Sequence, residues 1–123
     1  LISFIKNNYP NKKICIVLAF KKGKNWKGMI DLLVKNLSIE KIVATEYQGV
    51  ADTGRGSAVD VEEIRRYAEV RGQRLEVEAI KNSQEAVYST LSSNKLTPNQ
   101  LILVTGSLYL VGEARTLWKL PEF

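Results

Sequence analysis

Four short apolar runs, separated by stretches of helical spacing, set the order of this chain. Lys13 to Ala19, Lys41 to Thr45 and Leu101 to Thr105 are aliphatic or β-branched with little alternation, the pattern of strands covered on both faces in a parallel sheet. Arg74 to Ala79 differs, because Leu75, Val77 and Ala79 alternate with Glu76 and Glu78. That alternation predicts a strand nearer a sheet edge. Between the runs, apolar residues recur at helical intervals: Trp26, Met29, Ile30, Leu33 and Leu37; Val61, Ile64 and Ala68; Ala86, Val87 and Leu91; Leu110, Val111, Ala114, Leu117 and Trp118. Ser57 with Asp60, and Asn82 with Glu85, have the capping-box spacing and predict where two helices begin. Leu1 to Asn8 reads as the last turns of an amphipathic helix with an asparagine stop and no start before it. The chain is therefore expected to be a fragment of a longer one.

The order βαβαβαβα predicts an α/β fold: a mostly parallel, Rossmann-like sheet with right-handed crossovers and helices on both faces, as a single domain over residues 1–123. Ligands of such sheets sit at the carboxyl ends of the strands. Three loops fall there, Phe20 to Asn25, Glu46 to Ser57 and Thr105 to Ser107.

Composition narrows the chemistry. The absence of histidine excludes Ser-His-Asp triads and His-ligated zinc. Cys15 is the single cysteine and sits inside Ile14-Cys15-Ile16-Val17-Leu18, so it reads as a small core residue. No apolar run approaches the roughly 20 residues that span a bilayer, and the start lacks the pattern of a signal peptide. A cytoplasmic location with no membrane partner is expected. The net charge of +5 comes from basic residues scattered among acids, with no basic stripe interleaved with aromatics, so no nucleic-acid partner is expected.

Gly49-Val50-Ala51-Asp52-Thr53-Gly54-Arg55-Gly56 has glycines at phosphate-loop spacing, but Arg55 stands in place of the lysine and Gly56 in place of the Ser or Thr that binds Mg²⁺. Gly54 to Ser57 still combines permissive backbone with one guanidinium beside a predicted helix start, an arrangement that suits a carboxylate or phosphate. A solvated loop arginine is the alternative. Lys21-Lys22-Gly23-Lys24 is no Walker motif, yet its lysines either line an anionic pocket or are solvated. At Thr105-Gly106-Ser107, glycine frees the chain to leave the strand and serine suits a helix cap.

Leu101-Ile102-Leu103-Val104-Thr105-Gly106-Ser107-Leu108-Tyr109-Leu110-Val111-Gly112-Glu113-Ala114-Arg115 is similar to the closing strand-and-helix signature of the folylpolyglutamate synthase/dihydrofolate synthase branch of the Mur ligases. Ile16 to Met29 resembles the same branch's strand, Asp-Lys-Asp loop and helix, with Gly23 and Asn25 standing where the family carries its two aspartates around Lys24. The resemblance implies a Mur-type C-terminal domain and an ADP-forming ligase. Such a ligase activates a folate carboxylate as an acyl phosphate with ATP and Mg²⁺, then joins it to the amino group of L-glutamate. ATP and Mg²⁺ would be bound mainly by an N-terminal ATPase domain, the chain's implied partner, and the isolated chain would be inactive. Asp52 and Arg55 match two positions of a Mur-ligase motif whose arginine grips the incoming amino acid, so the resemblance assigns Asp52, Arg55, Gly106 and Ser107 to glutamate, and Lys22 and Lys24 to the nucleotide side. It assigns no catalytic or metal-binding residue to this domain. The rival reading is a stand-alone α/β module that binds an anionic small molecule or nucleotide.

Overall fold

The computed structural model describes residues 2–47, 58–72, 75–93 and 100–106. Its elements in chain order are α1 (Ile2–Asn8), β1 (Lys13–Leu18), α2 (Trp26–Asn36), β2 (Ile39–Glu46), α3 (Val61–Arg71), β3 (Glu76–Asn82), α4 (Ser83–Ser93) and β4 (Gln100–Thr105). The four strands form one parallel sheet in the order β3-β2-β1-β4. The expected α/β architecture is the one observed. The helix predicted around Leu110 to Trp118 lies outside the described residues.

Alternating side chains of each strand feed two cores. Ile14, Ile16 and Leu18 of β1 and Ile42 and Ala44 of β2 pack with Ile5 of α1, Ile30 and Leu33 of α2, and Ile64 and Ala68 of α3. On the opposite face Cys15, Val17 and Val43 pack with Ala86 and Val87 of α4. The period of two along a strand, against a helical stripe on each cover, is what sorts the residues this way. Ile16, Val17 and Leu18 are completely buried, as a run without alternation requires. Cys15 is buried inside this packing.

The alternating strand β3 takes an end of the sheet, as its glutamates predict. Lys41 of β2 answers those glutamates across the ladder, with its Nζ 2.8 Å from Glu78 and 3.9 Å from Glu76. The aliphatic β4, read from sequence as central, takes the other end of the described sheet and is half-buried along its length. Aliphatic composition reports contact on both faces of a strand, not its place in the strand order.

The register of β2 against β3 shifts between Ala44 and Glu46, where β3 gains a residue. The buried Thr45 hydroxyl donates to the Lys81 carbonyl at 3.2 Å and bridges the irregular ladder. Among the described residues no buried side-chain polar atom lacks a partner.

Candidate functional site

The strand order reverses direction between β1 and β4: β2 and β3 build out on one side of β1, and β4 lies on the other. A crevice outside the carboxyl ends of β1 and β4 is the ligand position this topology provides. Two of the three loops singled out from sequence leave these strands, and the third leaves the adjacent β2. Gly106, at the exit of β4, has a φ of 104°, a backbone region that favours glycine. A Cβ there would also collide with the Ala19 carbonyl oxygen and lie 3.1 Å from the Phe20 ring. The exits of β4 and β1 are therefore pressed together, and Gly106 is required by close approach as well as by its dihedral. Ser107, Asp52 and Arg55 lie outside the described residues.

At the exit of β1, Ala19 and Phe20 are fully buried, and the chain then surfaces abruptly. Lys21 to Asn25 are exposed. The turn closes with the Lys24 N–H donating to the Lys21 carbonyl at 3.4 Å, and Gly23 takes a φ of 87°. The Asn25 side chain then caps α2, accepting from the Gly28 N–H at 3.1 Å. The first turn of α2 contains no acidic residue. Lys22 and Lys24 stand in front of this helix start as exposed cations, and neither forms a salt bridge among the described residues.

The path from β2 into α3 is built differently. Lys21 pairs with Ala58 in an antiparallel bridge, and the Val59 N–H donates to the Phe20 carbonyl at 2.8 Å, so the two loops share backbone bonds. Asp60 accepts from the Glu62 N–H at 2.8 Å, and Glu46 of β2 accepts from the Val61 N–H at 3.0 Å. This corrects one expectation. The helix begins at Val61 with Asp60 as its cap, not after Ser57 with Asp60 as the reciprocal partner, because Asp60 is non-helical and Val59 is committed to Phe20. The anion site expected at Gly54 to Ser57 lies outside the described residues. Two carboxylates of the protein already take the leading N–H groups of α3. Glu46 lies 15 residues from its partner, beyond the reach of any local capping pattern. By contrast, the second predicted cap holds: Asn82 accepts from the Glu85 N–H at 2.9 Å.

Sequence reading treated Trp26 only as a core position of α2, and it missed the cleft that Trp26 helps to build. Trp26 stacks on Phe20 with ring centroids 6.0 Å apart and meets Tyr67 of α3 edge-on at 5.5 Å. The Tyr67 hydroxyl donates to the Asp31 carboxylate at 2.8 Å and accepts from Arg71 Nε at 3.1 Å. Trp26, Lys27, Glu63, Arg66 and Tyr67 line a cleft of about 470 Å³ between α2 and α3. The pairing of tryptophan at the start of one helix with a tyrosine on the next is the signal that pattern analysis had available.

Electrostatically, the Glu78 hydrogen bond is the main cause raising the Lys41 pKa above its ordinary 10.5, aided by the Glu78 and Glu76 charges against partial desolvation. This pair spans β2 and β3 and leaves the loops untouched. Among the described residues no group of three or more His, Cys, Asp or Glu could hold a metal ion, and no helix is long and apolar enough to cross a membrane.

Comparison with known proteins agrees with the architecture. The family described as dihydrofolate synthetase, C-terminal domain, matches residues 1–117. The chain is 28% identical over 113 residues to a dihydrofolate synthetase of Saccharomyces cerevisiae, covering 92% of this chain and 26% of that protein. Its fold superposes on a folylpolyglutamate synthase of Mycobacterium tuberculosis complexed with ADP and AMPPCP, with a TM-score of 0.72 and 23% identity over 94% of this chain and 25% of that one. The same synthase complexed with ADP gives a TM-score of 0.70 at 22% identity, over 94% and 26% of the two chains. The chain thus spans about a quarter of the length of these relatives.

Proposed function

The chain belongs to the dihydrofolate synthetase C-terminal domain family, and from that membership we propose that it is the substrate-positioning domain of an ATP-dependent ligase that adds L-glutamate to folate. In this reading residues 1–117 work beside an N-terminal ATPase domain in the cytoplasm, and the chain alone does not turn over. The family match over nearly the whole chain carries the proposal. ATP bound with Mg²⁺ by the partner domain supplies the phosphoryl group that activates the folate carboxylate. The glutamate amino group then attacks the acyl carbon, and amide formation releases phosphate.

The chain's own part is placement, which contributes through proximity and orientation. Lys22 and Lys24 fit the phosphate side: they are exposed cations in front of an uncapped-by-acid helix start, and a lysine serves phosphate as a mobile point charge. No cluster suited to Mg²⁺ is present among the described residues, and in this reading the partner domain would hold the metal. Asp52, Arg55, Gly106 and Ser107 are proposed to receive glutamate, with the Arg55 guanidinium making paired bonds to a carboxylate. Gly106 supports the wall of that pocket by letting the exits of β4 and β1 close together.

Glutamate-dependent phosphate release, measured with folate and ATP in the intact ligase and in this chain, tests the division of labour. Release is expected only from the intact ligase, and turnover by the chain alone overturns the proposal. In the intact ligase, Arg55→Ala is expected to raise KM for glutamate more than KM for ATP. The exposed lysine loop favours a second reading, a stand-alone module for an anionic small molecule or nucleotide, which predicts tight ATP binding by the chain alone in a calorimetric titration.

A further inference from the structure

The lysine loop at the exit of β1, residues 21–25, stands on two aromatic feet. Phe20 directly precedes it, Trp26 directly follows it, and their rings stack with centroids 6.0 Å apart. Between the feet the chain is exposed, and the turn closes through backbone bonds, from the Lys24 N–H to the Lys21 carbonyl at 3.4 Å and from the Trp26 N–H to the Lys24 carbonyl at 2.8 Å. Lys22 and Lys24 make no salt bridge among the described residues. Where their charges stand is therefore set by where the two feet stand.

The first foot is fixed by the core. Phe20 is fully buried, and its carbonyl accepts from the Val59 N–H at 2.8 Å. The second foot is half-buried at the start of α2 and leans on Tyr67 of α3, whose ring meets Trp26 edge-on at 5.5 Å. Tyr67 grips α2 a second time, its hydroxyl donating to the Asp31 carboxylate at 2.8 Å. Arg71, one turn further along α3, donates from Nε to the same hydroxyl at 3.1 Å and lies 5.3 Å from the ring centroid. From the α2 side, Lys27 Nζ lies 5.6 Å from the centroids of both Trp26 and Tyr67 and ties the two rings together. Tyr67 is thus restrained at its ring and at its hydroxyl, and it passes that restraint to Trp26.

We propose that Tyr67, acting through Trp26, is a positioning residue that sets the lysine loop for the phosphate groups of the nucleotide. The inference rests on the reading that puts Lys22 and Lys24 on the nucleotide side. A lysine meets phosphate as a point charge on a flexible stem, so its direction must come from the backbone that carries it. A shift of that backbone by about 1 Å is enough to cost a large factor in rate. Neither aromatic residue needs to touch the nucleotide for this, and both act on ATP and not on glutamate.

Steady-state kinetics of the intact ligase, with KM for ATP and for glutamate measured separately, test the proposal. Trp26→Leu is expected to raise KM for ATP about ten-fold and to leave KM for glutamate within about two-fold of the parent. Trp26→Phe should restore most of the loss, because a ring again stacks on Phe20. Tyr67→Leu should raise KM for ATP about five-fold, and Tyr67→Phe only about two-fold, since its ring remains against Trp26 and Arg71 already lies 3.4 Å from Asp31. Asn82→Ala removes the cap of α4 on the opposite face of the sheet, and it should lose stability without moving either KM, which marks the outcome of a purely structural defect. Lys22→Ala with Lys24→Ala tests the underlying reading. If that pair raises KM for ATP while Trp26→Leu and Tyr67→Leu leave it unchanged, or raise both KM values equally, the proposal is overturned and the nucleotide-side reading stands. If the lysine substitutions leave KM for ATP unchanged, that reading fails and the proposal falls with it.

Discussion

The exits of β1 and β2 lie side by side at the same end of the sheet, yet they treat charge in opposite ways. Beyond β1 the chain presents Lys21, Lys22 and Lys24 and enters α2 through a neutral asparagine cap, with no acid in the first turn. Beyond β2 two carboxylates, Glu46 from the strand and Asp60 from the loop, occupy the leading N–H groups of α3, and Glu62 and Glu63 follow. A helix start carries partial positive charge. In α3 that charge is answered from within the protein, and in α2 it is left to add to the lysines. The difference teaches that the β1 exit attracts negative charge, whereas the β2 exit has already met it from within the protein.

The largest test breaks the β1 side outright. Gly106→Ala places a Cβ against the Ala19 carbonyl and the Phe20 ring at a φ of 104°. A cost of about 2–4 kcal/mol is expected from the combined strain and overlap, read as a lower urea midpoint with unchanged slope. An unaltered midpoint would mean that the two exits are not in close contact. Next comes the β2 side. Glu46→Ala removes a charge-assisted bond to the Val61 N–H and is expected to cost about 1.5–3 kcal/mol, with Glu46→Gln losing less. Asp60→Ala removes a local cap and should cost about 1 kcal/mol. If Glu46→Ala is no more harmful than Asp60→Ala, the tie between strand and helix is not what closes this start.

How much of this contrast could be read in the sequence depends on the distance between partners. The Ile14 to Leu18 run, the Glu76 and Glu78 alternation and the Asn82–Glu85 cap are local patterns, and they predicted β1, the edge position of β3 and the start of α4. Asp60 is legible as part of a helix start but its position as the cap is not, because the backbone bond between Val59 and Phe20 that delays the helix joins segments far apart in sequence. Glu46 and the Trp26–Tyr67 cleft were hidden for the same reason: each depends on an alignment of strands and helices that spacing along the chain does not encode. Of the switch-point residues, Gly106 was legible as a point of backbone freedom, while its collision partner Ala19 emerged only from the β1–β4 pairing.

A smaller test sharpens the comparison by making α2 resemble α3. Asn25→Asp keeps a capping oxygen for the Gly28 N–H and adds a negative charge to a helix start that has none. Stability is expected to rise by about 0.3–1 kcal/mol at low ionic strength, with the gain fading as salt is added. On the proposed ligase function, the same change in the intact protein should raise KM for ATP, since it places a carboxylate beside Lys24. A gain in stability with no change in KM would show that the open start of α2 is not on the nucleotide side.

The smallest effect concerns charge away from both exits and serves as their control. Lys41 on β2 faces Glu78 and Glu76 of β3, and its pKa is raised above 10.5 chiefly by the Glu78 hydrogen bond. A basic group whose folded pKa exceeds the unfolded one binds its proton more tightly when folded, so its stabilisation is complete below 10.5 and is lost as pH rises through the folded value. Lys41→Met should therefore differ from the parent by less than about 1 kcal/mol at neutral pH, and the part of the difference due to the charge should vanish in strongly alkaline solution. Denaturant unfolding of both proteins at neutral pH and above the Lys41 pKa measures this. Because the pair joins two strands and touches neither loop, the substitution should leave KM for glutamate and ATP in the intact ligase where they were. A change in either would mean that the β2–β3 ladder transmits charge to the exits, and the contrast between them would no longer be a local property of their caps.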